Sequence, residues 1–128
     1  MKFICLVLIL SLICTCLPIS SVAETRADTE FNSASISLYT SKQAYFRCQT
    51  YGPRDSLSVT SCWLQQQVNG VWTYVCSLTR PSTVGVNTGV YAALMDYSSI
   101  IGSGTYRIGA RFNADGHTIV RYSNSRTF

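Results

Sequence analysis

The fold of this chain depends on the stretch Ser61-Cys-Trp-Leu-Gln-Gln-Gln-Val-Asn-Gly-Val-Trp-Thr-Tyr-Val-Cys-Ser77. It consists of two apolar, aromatic runs that are separated by Asn-Gly. This dipeptide is the strongest short-range signal for a two-residue β-hairpin turn, because both turn positions require a positive φ. We therefore predict a hairpin in which Val68 faces Val71 and Leu64 faces Val75.

The two faces of this predicted hairpin differ in composition. Strand alternation places Trp63, Trp72 and Tyr74 on one face together with glutamines, and Cys62 and Leu64 on the other. Because aromatic side chains each bury about 150–250 Å², we expect the aromatic face to pack in the core. The alternative is an exposed aromatic and glutamine surface that stacks on sugars or docks a peptide.

The N-terminus has the pattern of a secretory signal peptide. Lys2 precedes an apolar run that ends at about Leu17, and Ser21-Val22-Ala23 supplies small residues for cleavage. The apolar run is shorter than the about 20 residues of a membrane span. We predict that residues 1–23 are removed, and that the protein is secreted without a stable membrane anchor.

The mature chain has the size of one domain. Residues 24–30 are polar and charged, so we predict a flexible lead-in there and a single β domain over 31–128.

Cys48, Cys62 and Cys76 remain after cleavage. An odd number in an exported chain indicates one disulfide and a free thiol, or a bridge that joins two chains into a dimer. In the ideal hairpin register Cys62 and Cys76 point to opposite faces, so we expect a bridge from Cys48 to one of them. No two cysteines are close in sequence and His117 is the only histidine, which argues against a metal site.

Alternating residues predict strands before the hairpin. Residues 31–38 alternate apolar side chains with serines, and residues 44–50 alternate again with Cys48 toward the core. Gly52 and Pro53 predict a turn over 51–55.

The chain after the hairpin continues this pattern. We interpret 90–95 as a strand and expect Ile100-Ile101 to plug the core from a connecting loop. Residues 105–112 and 117–122 form a second predicted hairpin, with 123–128 as a closing strand. About seven short strands without a helical period predict an all-β, antiparallel sandwich.

Gly104-Thr-Tyr106, which follows Asp96, resembles the corner tyrosine of immunoglobulin-like sandwiches. Cys48 with Trp63 on the next strand also resembles their layout, although Ile108 stands where a true immunoglobulin domain has its second cysteine. The mature chain, with Leu-Gln-Gln-Gln-Val-Asn-Gly-Val-Trp, Gly-Thr-Tyr-Arg and Tyr-Ser-Asn-Ser-Arg, is similar to uncharacterised small secreted β-proteins of Gram-positive bacteria. That resemblance implies no activity, site or cofactor.

Residues suited to catalysis are few. The carboxylates lie in the lead-in or in predicted turns without a spacing suited to acid and base roles, and His117 follows a turn. The serines show no triad pattern. We therefore expect a protein that is not an enzyme and uses no cofactor.

Arginines form a second candidate surface. Arg107 and Arg111 share one face of a predicted strand, Arg121 lies on the partner strand and Arg126 follows, which predicts one basic patch on the outside of the sheet. Such a patch attracts anionic cell-wall polymers, acidic polysaccharide or a membrane surface. The plainer interpretation is that these arginines solubilise the sheet and guard its edges. A net charge of only +4 disfavours nucleic acid as a partner.

These features predict a small secreted binding module for cell-wall polymer, carbohydrate or protein. The candidate ligand-binding residues are Trp63, Trp72, Tyr74, Arg107, Arg111 and Arg121. The alternatives are a cationic antagonistic factor and an extracellular assembly subunit, the latter because of the odd cysteine and exposed strand edges.

Overall fold

The computed structural model describes residues 29–128, which form strands and connecting turns. The strands are β1 (Phe31–Leu38), β2 (Gln43–Val68), β3 (Val71–Leu78), β4 (Val84–Asp96), β5 (Thr105–Ala114), β6 (His117–Tyr122) and β7 (Arg126–Thr127). The predicted signal peptide over 1–23 and the lead-in up to residue 28 lie outside the described residues. Within the described part, no helix is long and apolar enough to cross a membrane.

Strand β2 is the axis of the sheet. Its first part pairs with β1 on one edge and with β4 on the other. Its second part pairs with β5 on the same edge as β1, and with β3 on the same edge as β4. Strand β5 then pairs with β6 and with the short β7. All pairs are antiparallel, and the seven strands form one sheet that curls into a half-barrel. The prediction of an all-β, antiparallel fold of about seven strands is confirmed, whereas the immunoglobulin-like sandwich is not.

The segment 51–55, predicted as a turn, is part of β2. The strand bends there, since Gly52 has a φ of +107° and the register toward β4 shifts between Gln49 and Arg54. The Thr50 hydroxyl donates to the Gly52 carbonyl oxygen at 2.6 Å and holds the bend. Glycine adopts this φ without steric cost, so Gly52 allows β2 to bend while it continues as a strand. The prediction of a turn over 51–55 is wrong.

Two tight turns form where the sequence predicts them. Asn69-Gly70 joins β2 to β3 and Asp115-Gly116 joins β5 to β6, with positive φ at all four positions. Asp115 also fixes its turn against β2, because its carboxylate accepts hydrogen bonds from the backbone N–H groups of Asp55 and Ser56.

The central hairpin contains a bulge that the ideal register lacks. Gln65 faces Tyr74 as alternation predicts, but Leu64 faces Cys76. Val75 is therefore the extra residue, and the predicted pairing of Leu64 with Val75 is wrong. Beyond the bulge, the side chains of β3 change faces relative to the prediction, so Cys76 points to the same face as Leu64.

The core lies on one face of the curled sheet. The alternation predicted for 31–38, 44–50 and 105–112 is confirmed, because the apolar set of each strand is buried there. The connection after β4 also contributes: Ile101 is 2% exposed, while Ile100 is 45% exposed. The plug prediction is therefore confirmed for Ile101 alone.

The side chains of Asn124 and Arg126 form hydrogen bonds with the backbone of Leu38 at the end of β1. Asn124 accepts a hydrogen bond from the Leu38 N–H at 2.8 Å and donates to the Leu38 carbonyl at 3.0 Å. Arg126 Nε donates to the same carbonyl at 2.9 Å. Of the predicted closing strand 123–128, only Arg126–Thr127 pairs as a strand. The Asn124 amide gives Leu38 the two bonds that a neighbouring strand would supply.

We expect Asn124→Ala to lower the free energy of unfolding by about 1–2 kcal/mol, because it leaves the partly buried Leu38 N–H without its partner. Urea unfolding followed by circular dichroism measures this change. Ser125→Ala is the matched control, since Ser125 is exposed and its change is expected within about 0.5 kcal/mol. Equal midpoints for the two variants would contradict the role of Asn124.

Candidate functional site

Four side chains on the outer face of the sheet, away from the core, form the candidate site. They are Trp72 of β3, Trp63 of β2, Arg107 of β5 and Tyr122 of β6, and we call them the outer array. The strand register brings them together, since Gln67 of β2 faces Trp72, Gln65 faces Arg107, and Gly109 of β5 faces both Trp63 and Tyr122.

Arg107 is the centre of the outer array. Its guanidinium carbon lies 4.5 Å from the centroid of the Trp72 ring and 4.2 Å from that of Tyr122. Its Nε donates a hydrogen bond to Gln65 Oε1 at 2.7 Å. Each cation–π contact contributes about 0.5–1 kcal/mol at an exposed site. Together these three contacts hold the guanidinium in a defined orientation.

Trp63 lies flat against Gly109. A Cβ atom at position 109 would be 2.5 Å from both Cε2 and Nε1 of the indole, so only glycine leaves room for this ring. Trp63 also meets Tyr122 edge to face, with ring centroids 6.0 Å apart and an interplanar angle of 79°. This is a favourable aromatic geometry, and it extends the array from Arg107 across the sheet.

The expectation that the aromatic face forms the core is wrong. Trp63 and Trp72 are only partly buried, and Tyr74 is 58% exposed with its hydroxyl 2.9 Å from Ser77 Oγ. The opposite face, with Cys62 and Leu64, is buried. The alternative of an exposed aromatic and glutamine surface describes the structure.

The predicted basic patch is divided between the two faces of the sheet. Arg107 and Arg111 share the outer face, as the sequence predicts. Arg121 faces Ala110, a core residue, so it lies on the other side. Arg126 is also on that side, because it faces Tyr106 and donates to the Leu38 carbonyl. Residues that face each other in an antiparallel pair share a side of the sheet, so the prediction of one patch with four arginines is wrong.

Tyr122 and Gln65 are the site residues that the sequence analysis missed. A signal for Tyr122 was present: counting outward from a two-residue Asp115-Gly116 turn pairs Tyr122 with Gly109. The same count pairs Arg121 with Ala110 and would have separated it from Arg107.

All three cysteines of the described chain are free, so the predicted disulfide from Cys48 does not form within it. Cys48 and Cys62 are buried and Cys76 is partly buried. Burial raises the pKa of the Cys48 thiol to about 11 and also raises the pKa of Cys62. The thiolate is the reactive form of cysteine, so these two thiols are poor nucleophiles.

The side chain of Tyr97 is buried beside Cys62. Its hydroxyl lies 3.6 Å from Cys62 Sγ and donates to the Thr79 carbonyl at 3.2 Å. Burial raises the pKa of this hydroxyl. These contacts of Tyr97 hold the connection after β4 against the core, so their role is structural.

The other ionisable side chains of residues 29–128 give no further site. Backbone and side-chain hydrogen bonds from Ser98 lower the pKa of Asp96, and this carboxylate accepts the Ser98 N–H at 2.8 Å in a turn. Across residues 29–128, no group of three or more histidine, cysteine or acidic side chains is arranged to hold a metal ion.

Comparison with known proteins adds no assignment, because no protein-family model and no curated protein matches this chain. The function of this chain is therefore inferred from the geometry of the outer array.

We expect stability to fall between about pH 9 and pH 11 less steeply in Cys48→Ala than in the wild type. The folded-state pKa of Cys48 is raised, so this thiol stabilises the fold below its ordinary pKa near 9 and loses that contribution as the pH rises toward 11. The steepest loss is roughly 1.4 kcal/mol per pH unit. Urea unfolding at several pH values measures it, with Cys76→Ala as control. Equal slopes for wild type and Cys48→Ala would contradict the buried, neutral thiol.

Proposed function

We propose that the protein is a small secreted, non-enzymatic binding module, and that the outer array contacts a carbohydrate of the cell envelope. The observation that carries this proposal is the contact of Arg107 with Trp72 and Tyr122 on the outer face. Aromatic rings on a sheet face offer flat apolar surface, and a few oriented polar groups beside them supply specificity. Sugar rings match this surface, because they have apolar C–H faces and hydroxyl edges.

The rigidity of the outer array supports a binding role. Its side chains come from four strands of one sheet and fix one another through ring and hydrogen-bond contacts. A preorganised surface loses less side-chain entropy on binding than a mobile one. Gln67 is exposed beside the array and adds amide donors and acceptors for hydroxyl groups.

Sequence features support the proposals that the protein is secreted and that it is related to small secreted β-proteins. The pattern over 1–23 supports export. The Tyr106 hydroxyl donates to the Ser103 carbonyl at 3.1 Å, which supports the corner-tyrosine likeness to immunoglobulin-like domains. The proposed relationship to small secreted proteins of Gram-positive bacteria makes their cell wall the first material to test.

We expect Trp72→Ala to reduce binding to purified Gram-positive cell walls by at least about tenfold while the fold is retained. Trp72 is partly exposed, so its truncation should cost only about 1 kcal/mol of stability from the lost contact with Arg107. Co-sedimentation with the walls measures binding, and circular dichroism reports the fold. Tyr51→Ala is the control, because Tyr51 is a 63% exposed aromatic outside the array. If Trp72→Ala sediments like the wild type, or if the wild type stays in solution, the proposal is wrong.

A second candidate function, an extracellular assembly subunit, is favoured by strand β4. Among the described strands β4 pairs only with β2, so its other edge is open there. No charged residue occurs from Val84 to Met95, and Val86 and Leu94 are 66% and 55% exposed. Edge strands are usually guarded by charges, prolines or bulges. An edge that carries an apolar row and no charge or proline is suited to pairing with a strand of a second chain.

We expect the wild type to associate with increasing concentration if β4 is an assembly edge, and Val86→Lys to remain monomeric because the added charge guards the edge. Size-exclusion chromatography with light scattering measures the mass. Val71→Lys is the control, since Val71 is 64% exposed but lies next to the turn of the β2–β3 hairpin. A wild type that is monomeric at its highest soluble concentration would contradict assembly.

A further inference from the structure

We propose that Arg107 binds the carboxylate of an acidic sugar, so that the carbohydrate recognised by the outer array is a uronic acid polymer. This inference rests on the proposed carbohydrate-binding function and assigns its ligand class. Three observations carry it: the orientation of the guanidinium, its terminal nitrogens that make no bond to residues 29–128, and the lack of an ion pair between Arg107 and any carboxylate of those residues.

The guanidinium of Arg107 is oriented by contacts that leave one side of it open. Trp72 and Tyr122 pack against it, and Nε is occupied by Gln65. Neither terminal nitrogen of Arg107 makes a hydrogen bond or ion pair to any of residues 29–128. These two nitrogens are the pair that grips both oxygens of a carboxylate in a bidentate contact.

Among residues 29–128, no carboxylate forms an ion pair with Arg107. In the described chain Glu30 pairs with Arg54 at 2.6 Å. Asp115 accepts hydrogen bonds from the backbone N–H groups of Asp55 and Ser56 in β2, and Asp96 accepts one from Ser98 in its own turn. Arg111 adds a second positive charge to the same outer face of β5. The described residues therefore leave the surface beside the rings positive and without an ion pair, which favours an anionic ligand over a neutral one.

The rings determine the kind of anion. Trp63 and Tyr122 extend apolar surface beyond the guanidinium, so a sugar whose carboxylate meets Arg107 has a surface on which its ring can stack. Phosphate polymers of the cell wall share the oxyanion chemistry. We assign the carboxylate because it is planar, like the guanidinium fork, and bonds to it through two parallel N–H···O contacts.

Titration calorimetry with three soluble polymers tests the assignment on the wild-type protein. The polymers are polygalacturonate, its fully methyl-esterified form, and a glycerol phosphate polymer of the teichoic acid type. The ester keeps the sugar backbone and removes the charge. We expect polygalacturonate to bind at least about tenfold more tightly than either of the others, because only its carboxylate forms the bidentate contact.

A pair of variants then locates the contact. Arg107→Lys keeps the charge but loses the planar fork, and we expect it to weaken polygalacturonate binding by at least about tenfold. Arg47→Lys makes the same exchange at an exposed arginine in the first half of β2, outside the outer array, and is expected to stay within about twofold. Circular dichroism of both variants checks the fold. The comparison of acid with ester needs no variant, so it remains decisive if Arg107→Lys is unstable.

Several outcomes would overturn the assignment. It is wrong if the ester or the phosphate polymer binds as tightly as polygalacturonate, if no polymer binds, or if a folded Arg107→Lys binds like the wild type. Loss of cell-wall binding in Trp72→Ala together with any of these results leaves the carbohydrate-binding function standing and rejects only the acidic sugar. Unchanged cell-wall binding in Trp72→Ala rejects the function itself.

Discussion

The backbone hydrogen bonds of β2 are the constraint on which the rest of the structure depends. This one strand of 26 residues pairs with four others, two on each edge. A straight strand of that length could not curl around a single core, so β2 bends at Gly52 and shifts register against β5 near Thr60. Buried residues on both sides of the bend belong to one core cluster. The second half of β2 pairs with both β3 and β5 and thereby assembles the outer array.

Local sequence patterns predicted much of this fold. The strand over 31–38 and the turn at Asn69-Gly70 depend on alternation and on φ preferences, which act within a few residues. The bend at Gly52 and the bulge at Val75 were not predictable in the same way. A Gly-Pro pair sets the local backbone, but whether the chain reverses there depends on the neighbouring strands. In this protein β4 continues along β2 past the bend, and the strand persists.

Only part of the candidate site was predicted, because its assembly depends on neighbouring strands. Both faces of the central hairpin carry apolar side chains, so its own sequence does not decide which face is buried. The partner strand decides it, because β5 places Gly109 and Arg107 opposite the outer face of β2, and Ile108 and Ala110 opposite the core face. The sequence identified Trp63, Trp72 and Arg107 as chemically suited to binding. Their assembly with Tyr122 follows from a register across four strands, which no short pattern contains.

The bonds between Leu38 and Asn124 have a consequence for biosynthesis, since they join positions 86 residues apart. Contacts so distant in sequence form late, because a long loop must close first. At about 5–20 residues per second of translation, the edge of β1 waits for several seconds until Asn124 has been made. The backbone groups of Leu38 therefore remain without these two bonds until synthesis reaches Asn124.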